Sequence, residues 1–356
     1  MSAVCFVGDV HVGNHRALGG PLVAGLNTRC REVVAVLRRS VERAQELDAS
    51  ALVVLGDLFD TDRPSPQIVA AVQDALTLGG EADIPVWLLL GNHDMTSATP
   101  GDHALAPLDG YGLIKVVECP KVITTGGVAL VMVPFEVGPA STWLPLEAER
   151  EAKHVGLDKR VLCTHVGIID GSTPPWLRNA ADAVTVDLLN ELRASAGLTH
   201  AIAGNWHSRK LWGNVMQVGA LVPTGWDNPG LEGYGTLAIL DGDTWRWEEL
   251  PGPRFIKLSA GKEPPTTLAG TRLYARVLTP PGTGEAEAAS LKDYGLAGYE
   301  IEIDTGEAEA SARTAAMAAR SEETLEASLA GFVAAMELPS GVERATVLER
   351  CRGYLK

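Results

Sequence analysis

The stretch ALVVLGDLFD, Ala51 to Asp60, decides the fold. Five apolar residues in a row read as a strand buried on both faces, and Gly56 ends the run just before the carboxylates Asp57 and Asp60. The same order recurs on either side. AVCFVG (Ala3 to Gly8) leads into Asp9 and His11, and PVWLLLG (Pro85 to Gly91) leads into Asn92, His93 and Asp94. Between the first two runs, TRCREVVAVLRRSVERAQELD brings Val33, Val36, Leu37, Val41 and Ala44 round at helical spacing. Short apolar runs alternating with helical patterns predict an α/β fold, a sheet covered by helices.

Further on, VITTGGVALVMVPF carries a hairpin signal at Gly126-Gly127, RVLCTHVG and HAIAG are again strand-like, and GYGTLAILDGDTWRWEEL reads as hairpins. These belong with the first runs in one α/β domain, residues 1–250. Past Pro251-Gly252-Pro253, LYARVLTP and GYEIEID read as two strands flanking the helix EAEAASLKDYG, a small α+β unit over 251–315. A helical tail, 316–356, follows. In it Leu325, Leu329, Phe332, Val333 and Met336 share one face, Pro339-Ser340-Gly341 breaks the helix, and a second apolar stripe runs from Val347 to Leu355. Such a tail packs on its own domain or docks another protein.

A chain of 356 residues with 46% hydrophobic content can bury a large core. Its formal net charge of -15 excludes a global basic field for nucleic acid or anionic lipid, so any nucleic-acid contact is local. Five cysteines without a CxxC pair argue against a disulfide framework or zinc knuckle. The N-terminus lacks a basic-then-apolar leader, and no apolar stretch is long enough to cross a bilayer. A cytoplasmic protein without membrane contact is the expectation.

The chemistry gathers at the ends of the runs: GDVH (Asp9, His11), GDLFD (Asp57, Asp60), GNHD (Asn92, His93, Asp94), CTHVG (His165) and AGNWHSRK (Asn205, His207). Any one of them alone is a helix cap or a turn. Five together are a site, because ligands collect outside the carboxyl ends of strands in α/β sheets. Carboxylates, imidazoles and an amide suit two divalent ions, with Asp57 as the candidate bridge between them.

The order D-x-H, GD-x-x-D, GNHD, H and G-x-x-H, spread from Asp9 to His207, resembles the calcineurin-like metallophosphoesterases. That resemblance implies a β-sandwich flanked by helices, with Asp9, His11, Asp57 and His207 on one metal and Asp57, Asn92, His165 and position 205 on the other. Where the pattern leads one to expect histidine, this chain has Asn205. An amide oxygen favours manganese or magnesium over zinc. The resemblance also makes His93 the donor of a proton to the phosphate or leaving group, with Asp94 orienting it. Asp60 either supports the ligands or caps the next helix, and His15 either touches substrate or is an ordinary loop histidine. His103, His154 and His200 are read as structural or solvent-facing, and Trp206 as packing.

Within the superfamily, GDLFDTDRPSP, the late hairpins and the added C-terminal unit are most similar to the nuclease subunit of SbcCD-type recombination and repair exonucleases, phage versions included. That implies a DNA substrate, two manganese or magnesium ions, a small capping domain, a homodimer of the nuclease subunit, and an SMC-like ATPase partner of the SbcC type. A phage-encoded version would work in the host cytoplasm. The chain has no GxxxxGK[ST] loop, so the ATPase would be a separate protein. The other function classes are a free-standing phosphoesterase on nucleotides or small phosphoesters, and a binding module with a weakened metal site.

Overall fold

In the computed structural model the described residues are 2–303 apart from 17, 98, 100, 154, 227–234 and 266–268, together with 345–347. The elements run β1 (Val4–Val7), α1 (Thr28–Glu46), β2 (Ala51–Leu55), α2 (Pro66–Thr77), β3 (Val86–Leu89), β4 (Ile114–Val117), β5 (Lys121–Thr125), β6 (Val128–Val133) and α3 (Ala140–Ala152). Next come β7 (Arg160–His165), β8 (Gly167–Ile169), β9 (Ala183–Thr185), α4 (Val186–Ser195), β10 (His200–Gly204), β11 (Lys210–Trp212) and β12 (Val215–Gln217). The series closes with β13 (Thr236–Asp241), β14 (Thr244–Glu249), β15 (Pro253–Ser259), β16 (Arg272–Thr279), α5 (Gly284–Ser290) and β17 (Gly298–Ile303).

Instead of one covered sheet there are two six-stranded sheets, ordered β14-β13-β1-β2-β3-β4 and β11-β12-β10-β7-β6-β5. The alternation along each strand explains the pairing. Val4, Phe6, Ala51, Val53 and Leu55 share a core with Leu130, Met132, Val161, Cys163 and Ile202 of the second sheet. Their neighbours Cys5, Val7, Leu52 and Val54 face Val33, Leu37, Val41 and Val72 of α1 and α2. On the far side, Val131, Leu162 and Ala201 pack against Leu144, Ala148, Leu189 and Leu192 of α3 and α4. The result is an α/β sandwich, two sheets flanked by helices, as the resemblance implies. Burial on both faces is why its strands read as unbroken apolar runs.

Local signals hold where they were strongest. The Asn27 side chain caps α1 by accepting from the Cys30 amide at 2.8 Å. Gly126 and Gly127, at φ +56° and +81°, make the two-residue turn between β5 and β6 that a right-handed hairpin twist favours. From Pro253 onward comes first β15, a strand that the sequence reading does not contain, and then β16, α5 and β17 in the strand-helix-strand order expected there. One compact unit comprises Met1–Val277 with Ser290–Glu300, and Leu278–Ala289 belong to a second. The tail lies outside the described residues except for Ala345, Thr346 and Val347, which are helical, and His154 also lies outside them.

Candidate metal centre

Asp9 and His11 follow β1, Asp57 follows β2 and Asn92 follows β3, all in the first sheet, while His165 ends β7 and Asn205 and His207 follow β10 in the second. The cluster therefore straddles the strand ends of both sheets, which approach closely there. A Cβ on Gly56 would run into the His165 ring, and one on Gly204 into the Leu55 carbonyl. The backbone is strained at the same place: Asp9, His11, Asp57 and Asn205 have φ of +48°, +49°, +51° and +90°. A left-handed conformation costs a non-glycine residue about 1–2 kcal/mol, and such residues concentrate at functional sites.

The side chains converge. His11 and His207 face each other through their Nε2 atoms at 3.0 Å. Asp57 Oδ2 lies 3.8 Å from His11 Nε2 and 3.3 Å from His165 Nε2, and the Asn92 carbonyl oxygen sits 3.0 Å from the same His165 nitrogen. His165 Nδ1 is 2.7 Å from the Leu55 carbonyl, to which it donates, and that bond leaves Nε2 as the free ligand atom. Among the described residues, two groups each bring their ligand atoms within 4.8 Å of one another: Asp9, His11 and His207, and Asp9, Asp57 and His165. Asp9 thus belongs to both groups, and Asp57 spans them from the other side.

Electrostatics suit a cation. Burial pushes the Asp9 carboxyl up to about 7 and His11 down to about 3, so the His11 imidazole is neutral with its lone pair available. Its Nδ1 is buried and without a hydrogen-bond partner. Burial also opposes the charges on Asp57 and His165, but each holds the other ionised. The Asp57 carboxyl stays well below the usual carboxylate range and His165 rises to about 10. A buried ring of acceptors whose charge is stabilised by a proton on His165 is one in which a divalent cation can replace that proton.

Asp94 does something other than orient His93. Fully buried, its carboxylate accepts from the amides of Leu58, Phe59 and Gly91 at 3.4, 3.2 and 3.1 Å, tying the GNHD loop to the GDLFD loop. The acceptor against the His93 ring is the Asp60 carbonyl, 3.3 Å from Nδ1. Ser65 caps α2, so Asp60 is free for the site, and its carboxylate oxygens stand 4.0 Å from His11 Nδ1 and 3.8 Å from His15 Nδ1. His15 is held by the His11 carbonyl at 2.8 Å and supports the first motif from behind. His200 is a core residue bonded to Thr199 Oγ1 and the Asp243 carbonyl, and Trp206 packs over Gly167, where a Cβ would strike its ring.

Two contributors carry no motif. Gln217 donates to the carbonyls of Ala203 and Gly204 at 3.0 and 2.6 Å and accepts from the Ile168 amide, which braces the turn before Asn205. Asp182 accepts from the Asn205 amide nitrogen at 2.9 Å, while the Asn205 backbone amide donates to Asp9. With its NH2 turned to Asp182, Asn205 has only its oxygen left for a cation. A histidine at 205 would find in Asp182 an acceptor for its second ring N–H, the usual support of a metal-bound imidazole. Asn205→His is therefore expected to tighten binding of added manganese by roughly 10- to 100-fold in calorimetric titration. Unchanged affinity in both Asn205→His and Asn205→Ala would show that this side chain is no ligand.

A two-sheet sandwich with carboxylates, imidazoles and an amide converging at its strand ends defines a metal-dependent phosphoesterase. The chain belongs to the calcineurin-like phosphoesterase family, whose profile matches residues 3–213. It is 32% identical over 110 residues to the DNA double-strand break repair protein Mre11 of Archaeoglobus fulgidus, a match covering 31% of this chain and 23% of that protein. With the same protein of Methanopyrus kandleri it shares 27% over 111 residues, again 31% and 23% of the two chains. The matched stretch thus spans less than a quarter of each relative. Among solved structures, a 5'-nucleotidase from Staphylococcus aureus, described as putative, aligns with TM-score 0.42 at 16% identity over 69% of this chain and 52% of its own. A dimetal phosphatase from Danio rerio aligns with TM-score 0.36 at 12% identity over 67% and 91%.

Proposed function

We propose that this chain is a two-metal phosphodiesterase acting on DNA, the nuclease subunit of an SbcCD-type repair or recombination complex. The observation that carries the hydrolytic part is the pair of converging ligand groups beside an exposed imidazole, His93, that belongs to neither group. Asp9, His11, Asp57, Asn92, His165 and His207 would hold the ions, with Asn205 as a weak seventh ligand. Divalent ions bound there supply Lewis acidity toward a phosphate oxygen and lower the pKa of water. His93, steadied at Nδ1 by the Asp60 carbonyl, would present Nε2 to the leaving sugar oxygen and give it a proton or hydrogen bond. Likeness to two DNA repair proteins supports DNA as the substrate.

A net charge of -15 favours a second reading, a phosphoesterase on free nucleotides, unless a partner supplies the grip on DNA. The test is manganese-dependent cleavage of end-labelled duplex with and without a co-expressed SMC-like ATPase. Cleavage that rises with the ATPase supports the DNA reading. Turnover of a chromogenic diester or cyclic nucleotide alone, with DNA intact in both arms, overturns it. Docking of the ATPase is assigned to the tail. Removing residues 316–356 should abolish co-purification with that partner while chromogenic diester turnover persists, and retained association would place the docking surface elsewhere.

A further inference from the structure

Between β8 and β9 the chain makes an excursion, Asp170 to Asp182, that is fastened beside the metal centre at both ends. At its far end Asp182 takes the Asn205 side-chain amide, and the Asp182 carbonyl accepts from the Gly167 amide at 2.9 Å. At the near end Lys210 Nζ lies 2.8 Å from Ser172 Oγ and 3.5 Å from the Asp170 carboxylate, to which the Trp212 indole N–H also donates at 3.1 Å. Strand register puts Lys210 level with the ligands. It pairs with Gln217, Gln217 pairs with Ala203, and the next residue, Gly204, pairs with His165. The excursion therefore stands on the rim of the centre.

It is also stiff. Asp170 accepts from the Ser172 amide and from the hydroxyls of Ser172 and Thr173, Arg178 donates to the carbonyls of Gly171 and Thr173, and Pro174 and Pro175 fix the backbone entering the single turn Pro175–Leu177. On that turn Trp176 is 80% exposed, more than any other large apolar side chain among the described residues. An indole held there adds nothing to the core and offers a flat face to a partner. Cations gather at its foot. Lys210 and Arg178 meet the turn Asp170–Thr173 against the one carboxylate of Asp170, in a chain whose net charge is -15, and next to Lys210 the Arg209 guanidinium lies 4.4 Å over the half-exposed Trp247 ring. Aromatic faces interleaved with cations are the chemistry that binds a single strand of nucleic acid. We infer that Trp176 is a stacking platform for an unpaired base of the DNA strand held at the centre, and that the strand arrives there single-stranded with its phosphates passing Lys210 and Arg178. About six residues of chain, at ~3.4 Å each, put Trp176 no more than ~20 Å from Asp182, roughly the rise of six nucleotides. The inference rests on the reading of the chain as a DNA nuclease.

The test compares manganese-dependent cleavage of a single-stranded oligothymidylate with that of an equally long strand of abasic residues. Trp176→Ala should lose about 5- to 150-fold in kcat/KM on the thymidylate, mostly through KM, the usual worth of one base stacked on an aromatic ring. Trp176→Phe should recover most of the loss. The unsubstituted chain should lose a similar factor on moving to the abasic strand, and Trp176→Ala should lose little on that move. Bound manganese, by elemental analysis, checks that the centre is intact in each variant. Equal kcat/KM for Trp176→Ala and the unsubstituted chain on thymidylate, or equal losses on the two strands, would overturn the stacking role and leave the nuclease reading standing. Cleavage of duplex alone would do the same. Unchanged DNA kinetics with lost association of a co-expressed ATPase would make Trp176 a protein contact instead. If the unsubstituted chain turns over a chromogenic diester but cleaves neither single-stranded nor duplex DNA, the inference and the nuclease reading fall together.

Discussion

Asp57→Ala is expected to abolish metal-dependent hydrolysis and to lower bound manganese in the same samples. No other side chain in the cluster is asked to do as much. Asp57 Oδ2 stands between His11 and His165, at 3.8 and 3.3 Å, while Oδ1 accepts the His93 amide at 3.0 Å and so positions the loop that carries Asn92. Truncation removes a proposed ligand, a loop anchor and the counter-charge of the buried His165, whose pKa Asp57 helps to raise to about 10. Stripping one partner from a buried ion pair costs about 3–5 kcal/mol, so circular dichroism has to show that the variant is folded. Asp57→Asn keeps the volume and loses the charge, and it should behave the same way. Elemental analysis with diester turnover decides the matter: near-normal turnover at saturating manganese in either folded variant would remove Asp57 from the centre.

What the sequence reveals and what it hides follow from the range of the interactions. Asp9, Asp57 and Asn92 are legible because each follows an apolar run that a glycine closes, and burial on both faces makes such runs conspicuous. Helix α1 is legible because Val33, Val36, Leu37, Val41 and Ala44, at helical spacing, are all buried on one face. The division into two sheets is not written locally. β13 returns past half the chain to pair antiparallel with β1, with Phe6 opposite Ala238, and nothing in TLAILD names that partner. Asp182 is hidden for the same reason: it lies in an unpatterned loop, and its bond to Asn205 spans 23 residues. Asp94 was visible but its role was not, since an aspartate next to a histidine suggests orientation of that ring, whereas its carboxylate turns inward to three backbone amides.

His93→Ala is expected to keep both cations and to lose roughly 10²- to 10⁴-fold in the rate of DNA cleavage, the usual worth of a positioned proton donor. The side chain is exposed, stands outside both ligand groups, and meets the His11 ring edge-on at 4.9 Å, so its removal takes no atom from a cation. The loss should depend on the leaving group. A sugar alkoxide is a strong base and leaves slowly without a proton, whereas a nitrophenolate is a weak base and needs little help, so the variant should lose far less on a p-nitrophenyl diester than on DNA. That contrast separates proton donation from damage to the site, because a disturbed centre would slow both substrates alike. Elemental analysis supplies the second check. A fall in bound manganese alongside equal losses on the two substrates would make His93 a ligand, and the proton for the leaving oxygen would have to come from another group at the centre.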